Sequence, residues 1–225
     1  MLRIAIDGAC RRNGKPDCVS AGGVFIQHIS DDDNSSVIAT FARSNYEHES
    51  TNQRGELLAL LTALDYIYSA KQEAQVITDS EYLFNAMTKG WYNKWSLNGW
   101  VTATGEPVKN ADVWREIAHA KAYCNIASIE INFYHIKGHV IPFGKVTAEN
   151  LLKLDPTGQL LYSKASEKFD AIAPTKIDVF NAAQELSEKN NGFELQPDIF
   201  KSFVVSNVVV DAIATSVVEA ADRNK

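Results

Sequence analysis

The first apolar run, Leu2 to Ala9, is short, β-prone and almost unbroken, which predicts a buried strand ending at Asp7-Gly8. Arg11 to Asp17 is turn-like. Ala21 to His28 and Ser36 to Ala42 follow as two further strands, with Asp31-Asp32-Asp33-Asn34 as the hairpin loop between them. The period then changes. Leu57, Leu60, Leu61, Leu64 and Ile67 recur at helical spacing, and Ser50 or Thr51 stands where a cap belongs. Gln75 to Thr78 is a fourth strand ending in Asp79-Ser80, followed by a short helix from Glu81 to Met87. Gly90 to Gly105 is aromatic-rich and irregular. Asn110 to Tyr123 is a helix, and Ser128 to Ile136 is a fifth strand in which Ile129, Ile131 and Phe133 alternate.

The order β-β-β-α-β-α-α-β implies a mixed five-stranded sheet flanked by helices, an α/β architecture. From Val140 to about Phe203 the pattern changes again. Leu161, Ala165, Phe169 and Ile172, then Val179, Ala182, Ala183 and Leu186, recur at helical spacing between punctuation at Pro156, Pro174 and Pro197. Three or four short helices are expected there. Ser206 to Ala221 closes the chain as a helix, with Val209, Ile213, Val217 and Ala220 on one stripe. At 225 residues the whole is read as one domain over 1–225, with 140–203 as a helical insertion inside it.

Composition narrows the function only a little. The net charge of −6 argues against a general attraction to nucleic acid, so any such contact must be local. Lys89, Lys94, Lys109, Lys121 and Lys137 are available for a local positive groove. The three cysteines, Cys10, Cys18 and Cys124, have neither disulfide nor metal spacing and read as small apolar filler in a reducing compartment. No charged-then-apolar leader opens the chain, and no apolar run reaches the ~18 residues of a membrane span. A cytoplasmic location without membrane contact is expected.

Four carboxylates change the picture. Asp7 ends an apolar strand, and Asp79 ends another. Glu56 opens the strongest helix, one step before its apolar stripe. Asp211 interrupts Val208-Val209-Val210 and Ala212-Ile213. Each has a plainer reading on its own: Asp79 as a helix cap, Glu56 at a positive helix end, Asp211 on a solvent face, Asp7-Gly8 as a turn. Together they are costly to bury, and no obviously buried Lys or Arg lies nearby in sequence to pair with them. An all-oxygen ligand set of this kind suits hard divalent ions, magnesium or manganese.

With these residues in place the chain resembles the type 1, bacterial-type ribonuclease H family. The similar segments are IAIDGAC (4–10), ESTNQRGELLALLTAL (49–64), VITDSEYLFNAM (76–87), GWYNKWSLNGWVTATGEPVKNADVW (90–114), FYHIKGHV (133–140) and SNVVVDAIA (206–214). The resemblance implies the ribonuclease H-like fold, with helices on both faces of a five-stranded sheet. It implies an endonuclease that hydrolyses the RNA strand of RNA–DNA hybrids. Asp7, Glu56, Asp79 and Asp211 would hold two Mg2+ ions, with Mn2+ as a substitute, and Asn207 supports the placing of Asp211. Asn13, Thr51 and Asn52 match positions that contact nucleic acid, and His139 matches a mobile histidine that aids catalysis or product release.

The chain also departs from the family. A long segment separates His139 from Asp211 where the family has a short loop. Ser96-Leu97-Asn98 stands where many bacterial members carry basic residues, and Glu81 where a neutral amide is frequent. The protrusion that would hold the hybrid is therefore nearly uncharged.

Two metals can relieve charge on the phosphoryl oxygens, activate a water and steady the leaving oxygen. Asp7 would bridge them, with Glu56 and Asp79 on the leaving-group side and Asp211 on the side of the attacking water. An unperturbed imidazole titrates near neutral pH, which suits His139 to move a proton. RNA differs from DNA by its 2′-hydroxyl, and Asn13 and Asn52 are the candidates to read it. Of Trp91 and Trp95, one is assigned to the DNA sugar–backbone, while Trp100 and Trp114 are structural. The alternatives are a metal-dependent nuclease of the same fold acting on DNA, or a non-catalytic nucleic-acid-binding module. The insertion is expected to lie beside the cleft, adding Lys145, Lys153 or Lys164 to the hybrid contacts or docking a protein partner.

Overall fold

The computed structural model describes residues 1–30, 37–48, 50–173, 177–189 and 196–223. The expected acidic loop at 31–34 lies outside them. In chain order the elements are β1 (Leu2–Arg11), β2 (Val19–Ile29), β3 (Val37–His48), α1 (Asn52–Ala70), β4 (Ala74–Thr78), α2 (Glu81–Thr88), α3 (Trp91–Leu97), α4 (Ala111–Ile126), β5 (Ile131–His135), α5 (Lys145–Leu154), α6 (Gln159–Ile172), α7 (Ile177–Lys189) and α8 (Pro197–Arg223). The sheet order is β3-β2-β1-β4-β5. β1 to β3 form an antiparallel meander, and β4 and β5 add parallel to β1.

β1 is the central strand, buried on both faces, which explains its unbroken apolar run. Alternation divides the core. Ile4, Ile6, Val24, Ile26 and Val76 face α1 and α4. Ala5, Phe25 and Ile77 face the side covered by α5 to α8. The segment 140–203 is therefore not an appendage. Leu161, Ala165 and Phe169 of α6 and Val179, Ala182 and Leu186 of α7 are buried in the core of that second face.

Several expectations need correction. β1 does not end at Asp7-Gly8 but pairs with β2 as far as Arg11, so Asp7 lies inside a strand. β3 runs on to His48 because it stays paired with β2 to Val19. The Gly90–Gly105 stretch contains a helix, α3, on which Trp91 and Trp95 stand one turn apart. α8 begins at Pro197, well before Ser206. Its buried face is also wider than one stripe: Ser202 to Val210 are buried throughout, and Val218 and Ala221 are buried where Ala220 is exposed. By length and composition α8 alone among the described helices could cross a membrane, yet most of its apolar surface is buried inside the fold.

A buried arginine registers α8 on the sheet. Arg3 is fully buried, and no sequence pattern announces it. Its guanidinium donates to Gln75 Oε1 at 3.1 Å and to Ser202 Oγ at 2.9 Å, and lies 5.4 Å from the ring centre of Phe203. Ser202 also accepts from Tyr162 of α6 at 3.1 Å, and Ser206 donates to Gln27 Oε1 at 3.0 Å. From Arg3 to Asp7 the strand rises ~13 Å, about the rise of nine helical residues from Ser202 to Asp211. The Arg3–Ser202 contact at one end thus brings Asp211 level with Asp7 at the other.

Candidate active site

Two close approaches assemble the acidic cluster around β1. Gly8 has no side chain because a Cβ there would lie 2.8 Å from Cγ of Glu56 and 2.8 Å from the carbonyl of Asn52. Gly23, the register partner of Asp7, would bring a Cβ 2.8 Å from the carbonyl of Val210 and 2.9 Å from the amide of Ala214. α1 therefore sits against one face of the sheet at Glu56, and α8 against the other at Asp211. Asp79 follows the last residue of β4. The parallel register pairs Ala5 with Ile77, and two more residues along bring Asp79 beside Asp7.

The four carboxylates act on one another electrostatically. Asp7 is 8% exposed, and burial pushes its pKa well above the usual carboxylate range. Asp79 and Asp211 raise it further, the Gly8 amide opposes them from 2.6 Å, and Glu56 adds to the rise. Burial also raises Glu56, opposed by the Ser80 hydroxyl and by Asn52 Nδ2 at 3.1 Å from Oε1. Burial raises Asp79, opposed mainly by the amide of Asn207 and by His139. Burial raises Asp211, with His139 opposing and Asp79 reinforcing.

Among the described residues no Lys or Arg forms an ion pair with any of the four. Lys145 is near enough to ease Asp211, but its own ion pair is with Glu219. Asn207 is 4% exposed, and its Oδ1 is buried without a hydrogen-bond partner. Uncompensated carboxylates and an orphaned amide oxygen are what hard divalent cations satisfy. The donor set fits such ions. Among the described residues no three side chains close onto one point as a finished metal site. Magnesium commonly takes only one or two protein carboxylates and completes its shell with water and substrate phosphate.

The remaining expected residues divide. Asn13, Thr51 and Asn52 do come together, lining an open cleft that also holds Glu56, Ser80 and Lys109. Thr51 caps α1, accepting from the Arg54 amide at 3.3 Å, and Asn52 is turned to Glu56. Ser50, the other cap candidate, is buried against Ser20 instead. His139 is exposed, with φ of 57°, on the rim of a second cavity of about 310 Å³ shared with Asn207 and Asp211.

Trp91 and Trp95 line neither space. Trp95 packs 5.5 Å from Trp114 and 6.3 Å from Tyr82, as part of the wall of the first core. Among the insertion lysines, Lys145 and Lys164 are engaged by Glu219 and Glu167. Sequence reasoning missed Ser80, whose hydroxyl both caps α2 and donates to Glu56. Its only signal was its place before a helix start, which also disposes of Asp79 as the cap.

A mixed sheet in this order, with an acidic cluster gathered around its central strand, defines the ribonuclease H-like class of folds. The sequence model of that family, RNase H, matches residues 2–151, and this chain belongs to the ribonuclease H family. Ribonuclease H of Dinoroseobacter shibae is 37% identical over 133 residues, 59% of this chain and 76% of that protein. Ribonuclease H of Paracoccus denitrificans is 36% identical over 133 residues, 59% and 77% of the two chains. That of Chlorobaculum parvum is 36% identical over 96 residues, 43% and 62%. Among solved structures, LC9-RNase H1, a type 1 enzyme with the type 2 active-site motif, superposes with a TM-score of 0.51 at 22% identity, covering 61% of this chain and 63% of that one.

The family match ends inside α5, so α6 to α8 lie beyond it. Glu149 is the acid nearest its end, but it faces Glu219 and has no part in the repulsion on Asp7. Asp211 supplies the fourth carboxylate.

Proposed function

We propose that this chain is an endonuclease that hydrolyses the RNA strand of RNA–DNA hybrids, at the cluster of Asp7, Glu56, Asp79 and Asp211. One observation carries this reading: Asp7, in the middle of the sheet, feels the other three carboxylates at once, and among the described residues no Lys or Arg forms an ion pair with any of them. The family depends on divalent metal. We assign Mg2+ here, two ions, with Mn2+ as the substitute. When bound, these ions supply charge relief on the phosphoryl oxygens and a water acidic enough to attack.

The chain's own residues prepare for this. Asp7 would be the shared ligand, because it lies on the central strand between α1, which carries Glu56, and α8, which carries Asp211. Glu56 and Asp79 would hold one side and Asp211 the other. Ser80 and Asn52 each donate to Glu56 and so aim its two oxygens. Asn207 does the same for Asp79. His139, on the rim beside Asp79 and Asp211, moves a proton to or from the water side. The cleft of Asn13, Thr51 and Asn52 lies on the Glu56 side, with Lys109 as a cation for the phosphate backbone. The chain works in the cytoplasm as one domain, with 140–203 inserted between His139 and the last ligand.

The test is cleavage of a labelled hybrid beside duplex DNA and duplex RNA, with magnesium, with manganese and with a chelator. Hybrid alone should be cut, only with metal, and within its RNA strand. Asp7→Asn should lower turnover by about a thousandfold or more, a loss of ~4 kcal/mol of transition-state stabilisation. Preferential cutting of duplex DNA would replace this reading with that of a DNA nuclease of the same fold.

A further inference from the structure

α7 touches the active site at a point the reaction has not yet used. His135, the last residue of β5, is 5% exposed. Its ring centre lies 5.8 Å from that of Phe84. Its Nε2 is 3.2 Å from the carbonyl oxygen of Asp79, and its Nδ1 is 3.3 Å from Nζ of Lys189, the last residue of α7. Lys189 is held in turn by Glu185, one helical turn back, at 3.0 Å.

The chemistry of these groups allows one arrangement. An ammonium can only donate, and a carbonyl oxygen can only accept. Both contacts are made together only if Nδ1 is bare and accepts from Lys189 while Nε2 carries its hydrogen and donates to Asp79. The other tautomer would set a nitrogen lone pair against the carbonyl and an N–H against the ammonium. Lys189 thus selects the tautomer that grips Asp79.

The grip matters because of where Asp79 sits. The β4–β5 pairing ends with Thr78 opposite His135, and the Thr78 carbonyl accepts from the Ile136 amide at 3.0 Å. Asp79 is the first residue beyond that ladder. Its carbonyl is held by His135, its carboxylate by Asn207, and its Oδ2 packs over Gly138. Holding the carbonyl fixes the backbone at the Asp79 Cα, the atom from which the carboxylate projects. Partners behind a metal-binding group fix its direction, and their loss commonly weakens metal binding.

We propose that His135 and Lys189 are positioning residues for Asp79, and that through them the helical segment after His139 tunes the metal site. The proposal rests on the reading of Asp79 as a metal ligand.

Three variants of the full chain test it: His135→Phe, His135→Gln and Lys189→Met. Glutamine keeps one donor and one acceptor, and phenylalanine keeps neither. kcat and KM are measured on hybrid in magnesium, and magnesium binding to the free protein is measured by calorimetry. His135→Phe should lower kcat and magnesium affinity by about 10–100-fold with KM for hybrid unchanged. Lys189→Met should move both the same way by a smaller factor, and His135→Gln should recover most of the loss.

A glutamine variant no better than phenylalanine would overturn the proposal, as would a change in KM alone. So would a Lys189→Met protein with wild-type kcat and magnesium affinity. If His135→Phe does not fold, Lys189→Met, at the edge of the fold, decides the matter. Calorimetry keeps the two readings apart: a wild-type protein that binds magnesium without cutting hybrid defeats the assigned activity and leaves the positioning effect measurable.

Discussion

A Cβ placed on Gly138 would overlap Oδ2 of Asp79 and lie 3.3 Å from its Cγ. The obstacle is the end of a side chain, not backbone, so Gly138→Ala can be accommodated by turning the carboxylate away. We expect a protein that folds with a near-normal melting temperature and a much reduced kcat in magnesium. Gly23→Ala should behave the other way, because its Cβ would meet the backbone of α8 at Val210 and Ala214. Thermal melts and kinetics on the same two preparations check the contrast. Equal loss of stability in both would show that Gly138 is only a packing position.

The acidic cluster sets a pH dependence. Asp7, Glu56, Asp79 and Asp211 all have folded pKa values raised above their ordinary values of 3.8 and 4.5. The folded state then holds these protons to higher pH than the unfolded chain does, so the penalty is absent below the unfolded values. It grows as pH rises through the shifted ones and is fully present above them. Asp112, held below its ordinary range by Arg54, acts in the opposite sense at lower pH. Without divalent ions, the melting temperature should therefore rise as pH is lowered from neutral toward the shifted range. Magnesium, which binds the ionised forms, should flatten that slope. A melting temperature in chelator that falls over the same interval would contradict the raised values.

His139 is exposed on the rim of the cavity it shares with Asp211, and its imidazole acts electrostatically on both Asp211 and Asp79. His139→Ala should slow turnover on the order of 10²-fold or less and leave metal-dependent cleavage measurable. Single-turnover and steady-state rates, compared, tell proton transfer from product release. Unchanged turnover in both regimes would leave His139 without a part in the reaction.

The buried face of α6 gives a stability prediction. Leu161 is fully buried, in the same core cluster as Phe25 and the apolar face of α8. Leu161→Ala should destabilise the fold by about 2–5 kcal/mol, the usual range for a buried leucine truncation. Denaturant unfolding measures this directly. A loss under ~1 kcal/mol would mean that the segment is a loose surface elaboration after all.

Much was legible in the sequence because it is written in short-range periodicity. The continuous apolar run of β1, the alternation of β5 and the leucine spacing of α1 each report a local conformation and a buried face. The four acids stood out for a related reason, as charged residues within or at the edge of apolar patterns. The ends of elements were not. β1 continues past Asp7 and β3 runs to His48 because partner strands continue beside them, and pairing is a long-range property. Whether Trp95 meets nucleic acid or Trp114 depends on how α3 folds back on α4, which spacing along one helix does not encode. Nor could local pattern foretell that a fully buried Arg3 would register α8 on the sheet, or that Lys189 would reach His135. The chemistry of the site belongs to the residues. Its assembly belongs to two close approaches, at Gly8 and Gly23, that bring helices distant in sequence to opposite faces of one sheet.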